Sequence, residues 1–400
     1  MLIKICKYLV QHYYYLFVLF SLLIMLKFKD LTSLLILLTI SSSILSIVKL
    51  KFQPIDLFVL IFILYNLISG FFSEYPYEIY YAGIRNQVIP IMFYFIGRGQ
   101  LIDNKRFIEN IKIPIIISIV FGLYVYFFPP NFYIDFKSQN LTADMNSKMY
   151  YEMTRLSSFW GHSYTIGFAS LFLSIILLKE IIIDNIGSKK TYLILSLAIL
   201  TLFFAQQRVS IAFFILVICF FTYYAFKINS PQRYTIIYII IIIIIITILI
   251  TTIMLYYLDS GFIDYVLNRT IDNDGNLIGD RIKMFDKYIK QISLFGKGLG
   301  LYGHKALSYN LPSITDCDYI RLPNELGYVG LTCFLGICTS AILKTKKILN
   351  YTIFEFLVII FYLIAMIGAA PLYMWLQQPF LLWFSIGSIQ KKYLIYRIKK

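Results

Sequence analysis

A chain of 400 residues that is 59% hydrophobic and 14% charged, with a mean hydropathy of +0.75, excludes an ordinary soluble domain, in which about a quarter of residues are charged. The formal charge of +15 suggests a nucleic-acid partner, but that requires basic residues gathered on one face, and here they lie in short clusters between apolar runs. The composition is that of a polytopic membrane protein, an all-α fold in a single integral-membrane domain spanning residues 1–400.

Apolar runs close to the ~20 residues that cross a bilayer recur at about 8–26, 31–48, 54–72, 84–97, 112–128, 157–178, 191–207, 209–226, 234–258, 326–343, 352–370 and 373–389, which predicts twelve transmembrane helices. With the N-terminus inside, the inner loops hold 21 of the 36 basic residues and six of the 21 acidic ones, so the whole +15 falls on one side. The positive-inside rule then places both termini in the cytoplasm. The first run follows Lys4 and Lys7 as a signal peptide would, but it is too long and lacks a small-residue cleavage site, so an uncleaved span is expected.

The first three spans carry little chemistry, and His12, among Tyr13, Tyr14 and Tyr15, reads as an interfacial residue. Glu74 to Asn86 brings Arg85 just inside the mouth of the fourth span, where a charge is costly unless it snorkels, pairs with Glu78 or is functional. A smaller outer loop, 129–155, ends in Arg155-Leu-Ser-Ser-Phe-Trp-Gly161-His162, where a cation and small or hydroxyl residues open a span; surface placement of Arg155 and His162 is the plainer reading. Between the seventh and eighth spans the loop shrinks to Gln206-Gln207-Arg208-Val-Ser210, and an arginine so close to hydrocarbon points to function. The run Ile239 to Ile246 fits lipid contact.

The large outer loop, 259–325, precedes the tenth helix and holds eight Lys/Arg and nine Asp/Glu in its 67 residues. Loops of that length are usually functional. Ile282, Phe285, Ile289 and Ile292 fall at steps of three and four, which predicts an amphipathic helix over 280–295, with Asp280 as N-cap and Gly296 as stop. Arg281 opposes the helix dipole in its first turn and is therefore a candidate for function. Gly296-Lys-Gly298-Leu-Gly300 follows no strand, so a dinucleotide fingerprint is rejected in favour of a flexible turn. Asp316 and Asp318 suit a solvated acidic pair, and no metal-ligand spacing occurs among the three histidines and five cysteines.

Three separated pieces, taken in order, resemble the bacterial O-antigen polymerase (Wzy) and O-antigen ligase superfamily. They are Arg155-Leu-Ser-Ser-Phe-Trp-Gly161; Gln207-Arg208-Val-Ser210; and Gly279-Asp-Arg281 through Gly296-Lys-Gly298 to Asn324-Glu-Leu-Gly327-Tyr-Val-Gly330. Where ligases of that family carry a His-Asn pair, this chain has Asp316-Cys317-Asp318, a departure that favours polymerase over ligase. The resemblance implies a metal-independent glycosyltransferase of the bacterial inner membrane. It would join undecaprenyl-diphosphate-linked oligosaccharides into O-antigen or capsular polysaccharide in lipopolysaccharide or polysaccharide biosynthesis. Arg208 and Arg281, with Arg155 and Arg85, would bind the diphosphate, and Asp318, Asp316, Glu325 or His304 would act as acid/base. No cofactor is expected; the partners implied are the bilayer, a chain-length regulator and a flippase. The alternatives are a ligase moving polymer to lipid A-core and, from another class, a transporter of lipid-linked sugars, against which the concentration of polar residues in outer loops counts.

Overall fold

The computed structural model describes residues 2–26, 31–48, 50–71, 75–139, 155–228, 234, 285–314, 317–373 and 379–399. Among them the chain is helical and contains no strand. Four helices open it: α1 (Leu2–Gln11), α2 (Tyr13–Met25), α3 (Thr32–Val48) and α4 (Pro54–Phe71). Next come α5 (Tyr77–Gly83), α6 (Ile89–Ile91), α7 (Phe93–Arg98), α8 (Asn104–Phe127) and α9 (Asn131–Gln139). The remainder are α10 (Ser163–Ile182), α11 (Lys189–Phe204), α12 (Arg208–Lys227), the short α13 (His304–Leu307), α14 (Asp318–Ala365) and α15 (Pro379–Lys399).

Five of these, α4, α8, α10, α12 and α14, are long and apolar enough to cross a membrane, and the α1–α2 pair makes six if counted as one bent span. The protein is membrane-embedded, and its outward faces are greasy: Leu57, Ile61, Leu64 and Ile68 of α4, at helical spacing, are each at least 50% exposed. By contrast α10 is the central helix, with 83% of its most apolar window buried. Close helix contact is made by small residues. A Cβ at Gly97 of α7 would strike the Phe384 carbonyl of α15, and one at Gly387 would strike the Tyr94 carbonyl, so glycine lets these backbones approach.

Buried and half-buried ion pairs collect at one end of the bundle: Arg98 with Asp56 (3.2 Å), Lys112 with Glu180 (2.5 Å), Lys179 with Asp184 (2.8 Å) and Lys392 with Glu355 (2.5 Å). All eight residues belong to the side that the charge asymmetry assigns to the cytoplasm. Asp103 caps α8 there, accepting from the backbone N–H of Lys105 at 3.0 Å and Arg106 at 3.4 Å.

Several elements depart from their sequence expectation. The first span is not straight: α1 and α2 meet at 71°, with His12 between them, its ring flanked by Tyr8 and Tyr15 and its Nδ1 3.5 Å from the Asn110 amide. The tenth and eleventh spans are parts of α14, interrupted by non-helical backbone at Gly327, Ile348 and Thr352. The helix of the last span is described from Pro379 and continues to Lys399, past the expected end at 389, while residues 374–378, near its expected start, lie outside the described residues. The end of the large loop is helix: α14 starts at Asp318, inside the stretch 259–325. The ninth span, 234–258, and the first part of that loop lie outside the described residues, Tyr234 excepted.

The amphipathic helix expected over 280–295 is helical at 285–289 and then turns, so it ends well before Gly296. The cause is tertiary. Beyond residue 292 the backbone is needed elsewhere: the Ser293 and Leu294 carbonyls accept from Tyr328 and Val329 N–H, each at 3.2 Å.

Candidate functional site

Gly327 sits at φ +70° and ψ −179°, a conformation essentially confined to glycine, and it breaks α14 about two and a half turns after its start. A break of this kind leaves carbonyls before it and N–H groups after it without helical partners. Residues 293–298 take up both sets. Lys297 N–H donates to the Asn324 carbonyl at 2.9 Å and Gly298 N–H to the Glu325 carbonyl at 3.0 Å, while Tyr328 and Val329 N–H donate back to Ser293 and Leu294. The Tyr65 hydroxyl adds bonds to the carbonyls of Phe295 (3.0 Å) and Leu326 (2.7 Å). A glycine-rich strap is thereby stitched to the broken helix, and it continues onto α5: a Cβ at Gly300 would lie 2.5 Å from the Ile79 carbonyl. Under it Tyr288, Leu301, Tyr302, Ile314, Cys317 and Ile320 form a small apolar core of their own.

Ahead of the break, Asp318, Arg321 and Glu325 stand three and four residues apart, on one helical face. All three are fully buried. Arg321 Nε donates to Asp318 Oδ1 at 2.7 Å; its Nη1 donates to Glu325 Oε2 at 2.7 Å and to Gln87 Oε1 at 3.2 Å. Its guanidinium carbon lies 4.7 Å from the centroid of the Tyr373 ring. The remaining carboxylate oxygens are also used: Asp318 Oδ2 accepts Leu372 N–H at 2.7 Å and Glu325 Oε1 accepts Tyr302 N–H at 3.1 Å. One guanidinium thus ties together the α5–α6 turn, the strap, the start of α14 and the stretch before α15. Arg321 Nη2 is buried with no acceptor, so the cluster has one donor to spare.

Gln87 reaches this cluster because the helix between α5 and α6 widens into a π turn, Ile84–Val88. Pro90 has no N–H to give to the carbonyl four residues earlier, and a wide turn just upstream accommodates the loss. Arg85 and Asn86 occupy the same turn, with Arg85 Nε donating to Asn86 Oδ1 at 3.1 Å. His304 is exposed at the start of α13, its ring centroid 6.5 Å from that of Tyr373. Just beyond, the Tyr309 phenol is raised above its ordinary range by desolvation and by its hydrogen-bonded neighbour, the Glu78 carboxylate of α5.

A second group forms where α10 and α12 begin. Leu156 N–H donates to the Phe204 carbonyl at 3.1 Å and Gln207 Nε2 to Ser163 Oγ at 2.8 Å, which draws the Arg155–Gly161 stretch and the Gln207-Arg208 step together. Arg155 is buried, and its carbonyl accepts from Lys137 Nζ at 2.7 Å; Arg208 and His162 are exposed. Arg155, Lys137, Tyr133 and Ser157 line a cavity of about 100 Å³ against α8.

Of the residues singled out from sequence, Arg85, Asp318, Glu325 and His304 therefore surround Arg321 and Tyr373, whereas Arg155 and Arg208 share the α10–α12 end. Arg281 and Asp316 lie outside the described residues. Asp318 is not a solvated loop acid but half of a buried ion pair, and Arg321, the centre of the cluster, was not among the candidates. Its signal was present in the Asp-x-x-Arg-x-x-x-Glu spacing, but a stretch read as loop has no helical face on which to place it. No family model and no curated protein matches this chain.

Proposed function

We propose that the protein is a polymerase of lipid-linked glycans, joining undecaprenyl-diphosphate-linked repeat units into O-antigen or capsular polysaccharide at the outer face of a bacterial cytoplasmic membrane. In this reading it has twelve spans, both termini are cytoplasmic, and the strap and α13 belong to the outer loop. The observation that carries it is the backbone pairing of Gly296-Lys-Gly298 with Asn324-Glu-Leu-Gly327, two pieces of one sequence signature that lie 26 residues apart yet make a single unit. The Gln207–Ser163 bond supports it further, because it ties the second piece to a residue two positions past the end of the first.

The chemistry follows from the arginines. A hydroxyl oxygen of the incoming repeat unit bonds to the anomeric carbon of the growing chain, and the bond from that carbon to the diphosphate breaks. The hydroxyl proton passes to a base, and the diphosphate leaves as an anion. Arg208, Arg281, Arg155 and Arg85 would neutralise it, since guanidinium groups keep their charge and match phosphate geometry. Asp318 and Glu325 are fully buried, and their oxygens are already held by Arg321 and by the Leu372 and Tyr302 N–H groups. Their proposed role is to hold Arg321, which leaves His304, exposed beside Tyr373, and Asp316 for proton transfer.

Removing a main electrostatic donor costs on the order of 10² or more in rate. An Arg208→Ala protein that reaches the membrane at the wild-type level is expected to leave short surface polysaccharide on a gel. Full-length polymer from that variant would overturn the assignment. Deleting the gene separates the neighbouring readings: a single repeat unit on the core indicates polymerase and bare core indicates ligase. A purified protein that lengthens lipid-linked glycans in detergent, with no gradient, excludes a transporter.

A further inference from the structure

A second polar site lies at the opposite end of the bundle, where the ion pairs collect. A cavity of about 430 Å³, within the size range of small-molecule sites, opens between the start of α4 and the middle of α14. Its lining combines Gln53, Ser340 and Lys344 with the apolar Pro54, Ile55 and Phe58. At this end Arg98, Lys112, Lys179 and Lys392 each meet a carboxylate. Lys344 does not: no ion pair involves it among the described residues. Its Nζ donates to the neutral Gln390 amide oxygen and stands 5.6 Å from the centroid of the Tyr393 ring. The nearest carboxylate of α4, Asp56, is taken by Arg98, by the Tyr94 hydroxyl and by Gln53 N–H at 2.8 Å. A half-buried cation and a serine hydroxyl thus face a cavity with no acid of their own to neutralise them.

We infer that this cavity holds the phosphate of an anionic phospholipid from the leaflet at this end of the bundle. Lys344 and Ser340 contact the phosphate oxygens, the cation supplying charge and the hydroxyl a donor. A lipid rather than a free anion is favoured by what continues from the cavity. Phe58 is exposed at its wall, and Leu57, Ile61, Leu64 and Ile68 extend an apolar stripe along α4 that acyl chains can cover. Anionic lipids are attracted to clustered Lys and Arg at a membrane surface, so this end is also where they concentrate. The site is separate from the proposed polymerase chemistry and does not depend on it.

The test uses the full-length protein in neutral detergent, following thermal unfolding with added phosphatidylglycerol, phosphatidylcholine or inorganic phosphate, and counting bound lipid by native mass spectrometry. Phosphatidylglycerol is expected to raise the midpoint and to remain bound, and phosphatidylcholine to do neither. Lys344→Gln should bind phosphatidylglycerol roughly fivefold more weakly, the loss of one basic contact near an anionic surface. Ser340→Leu removes the hydroxyl and crowds the phosphate position while keeping the charge, and should weaken lipid binding as well; it decides the matter if Lys344→Gln folds poorly. Full retention of the phosphatidylglycerol effect by Ser340→Leu, or by a well-folded Lys344→Gln, overturns the inference. So does an equal gain from inorganic phosphate, which identifies a free-anion site, or from phosphatidylcholine, which identifies lipid binding without charge.

Discussion

Arg321 shows how a single side chain holds distant segments together and what that costs. Its burial is tolerable because two carboxylates, the Gln87 amide and the Tyr373 ring surround it, with backbone N–H groups on the carboxylate oxygens that it does not use. Removing one partner from such a cluster leaves uncompensated buried charge, typically worth roughly 3–5 kcal/mol. Arg321→Met should therefore destabilise the protein by about that much, seen as a large fall in thermal midpoint in detergent. Combining it with Asp318→Asn and Glu325→Gln removes the stranded charges and should restore much of the loss. If Arg321→Met alone is neutral, the cluster does not hold the fold. The cluster was only partly legible beforehand: Asp318 and Glu325 stood out as acids near the membrane, but their burial and shared guanidinium required the helix to begin at Asp318.

Among the elements, the break at Gly327 matters most, because the strap exists to complete it. Any side chain at 327 meets two obstacles at once: the backbone conformation is closed to L-residues, and a Cβ would strike the Leu294 carbonyl. Gly327→Ala should cost roughly 1–3 kcal/mol from backbone strain, and more from the displaced strap. Hydrogen exchange at Lys297 and Gly298, whose N–H groups close the break, should accelerate in that variant. Unchanged exchange would mean that the strap is held by other contacts. The early end of the amphipathic helix, after residue 289, belongs to the same account. Apolar spacing correctly marks a helical face, yet it carries no information about which carbonyls a neighbouring broken helix will claim.

Across the molecule, hydrophobic runs anticipated the apolar helices α4, α8, α10 and α12, since a bilayer imposes length and apolarity on any crossing segment whatever its neighbours. The sidedness assigned by the positive-inside rule makes a direct prediction. A reporter active only in the cytoplasm should work when fused after Lys400, and a cysteine at Lys305 should react with an impermeant thiol reagent added outside intact cells, after outer-membrane permeabilisation where one is present. Labelling at 305 only after lysis would invert the topology and place the strap inside. Sequence by itself determined that this chain is membrane-embedded and marked apolar segments long enough to cross, those of α4, α8, α10 and α12 among them, because solvation acts on each segment alone. Tertiary structure decided the 71° bend at His12, the π turn carrying Arg85 and the union of the strap with Gly327. It also decided the choice of Arg321 as the centre: the bend, the union and the cluster depend on hydrogen-bond partners supplied by residues far away in the chain, and the π turn, set up locally by Pro90, gains its role only where Gln87 meets Arg321.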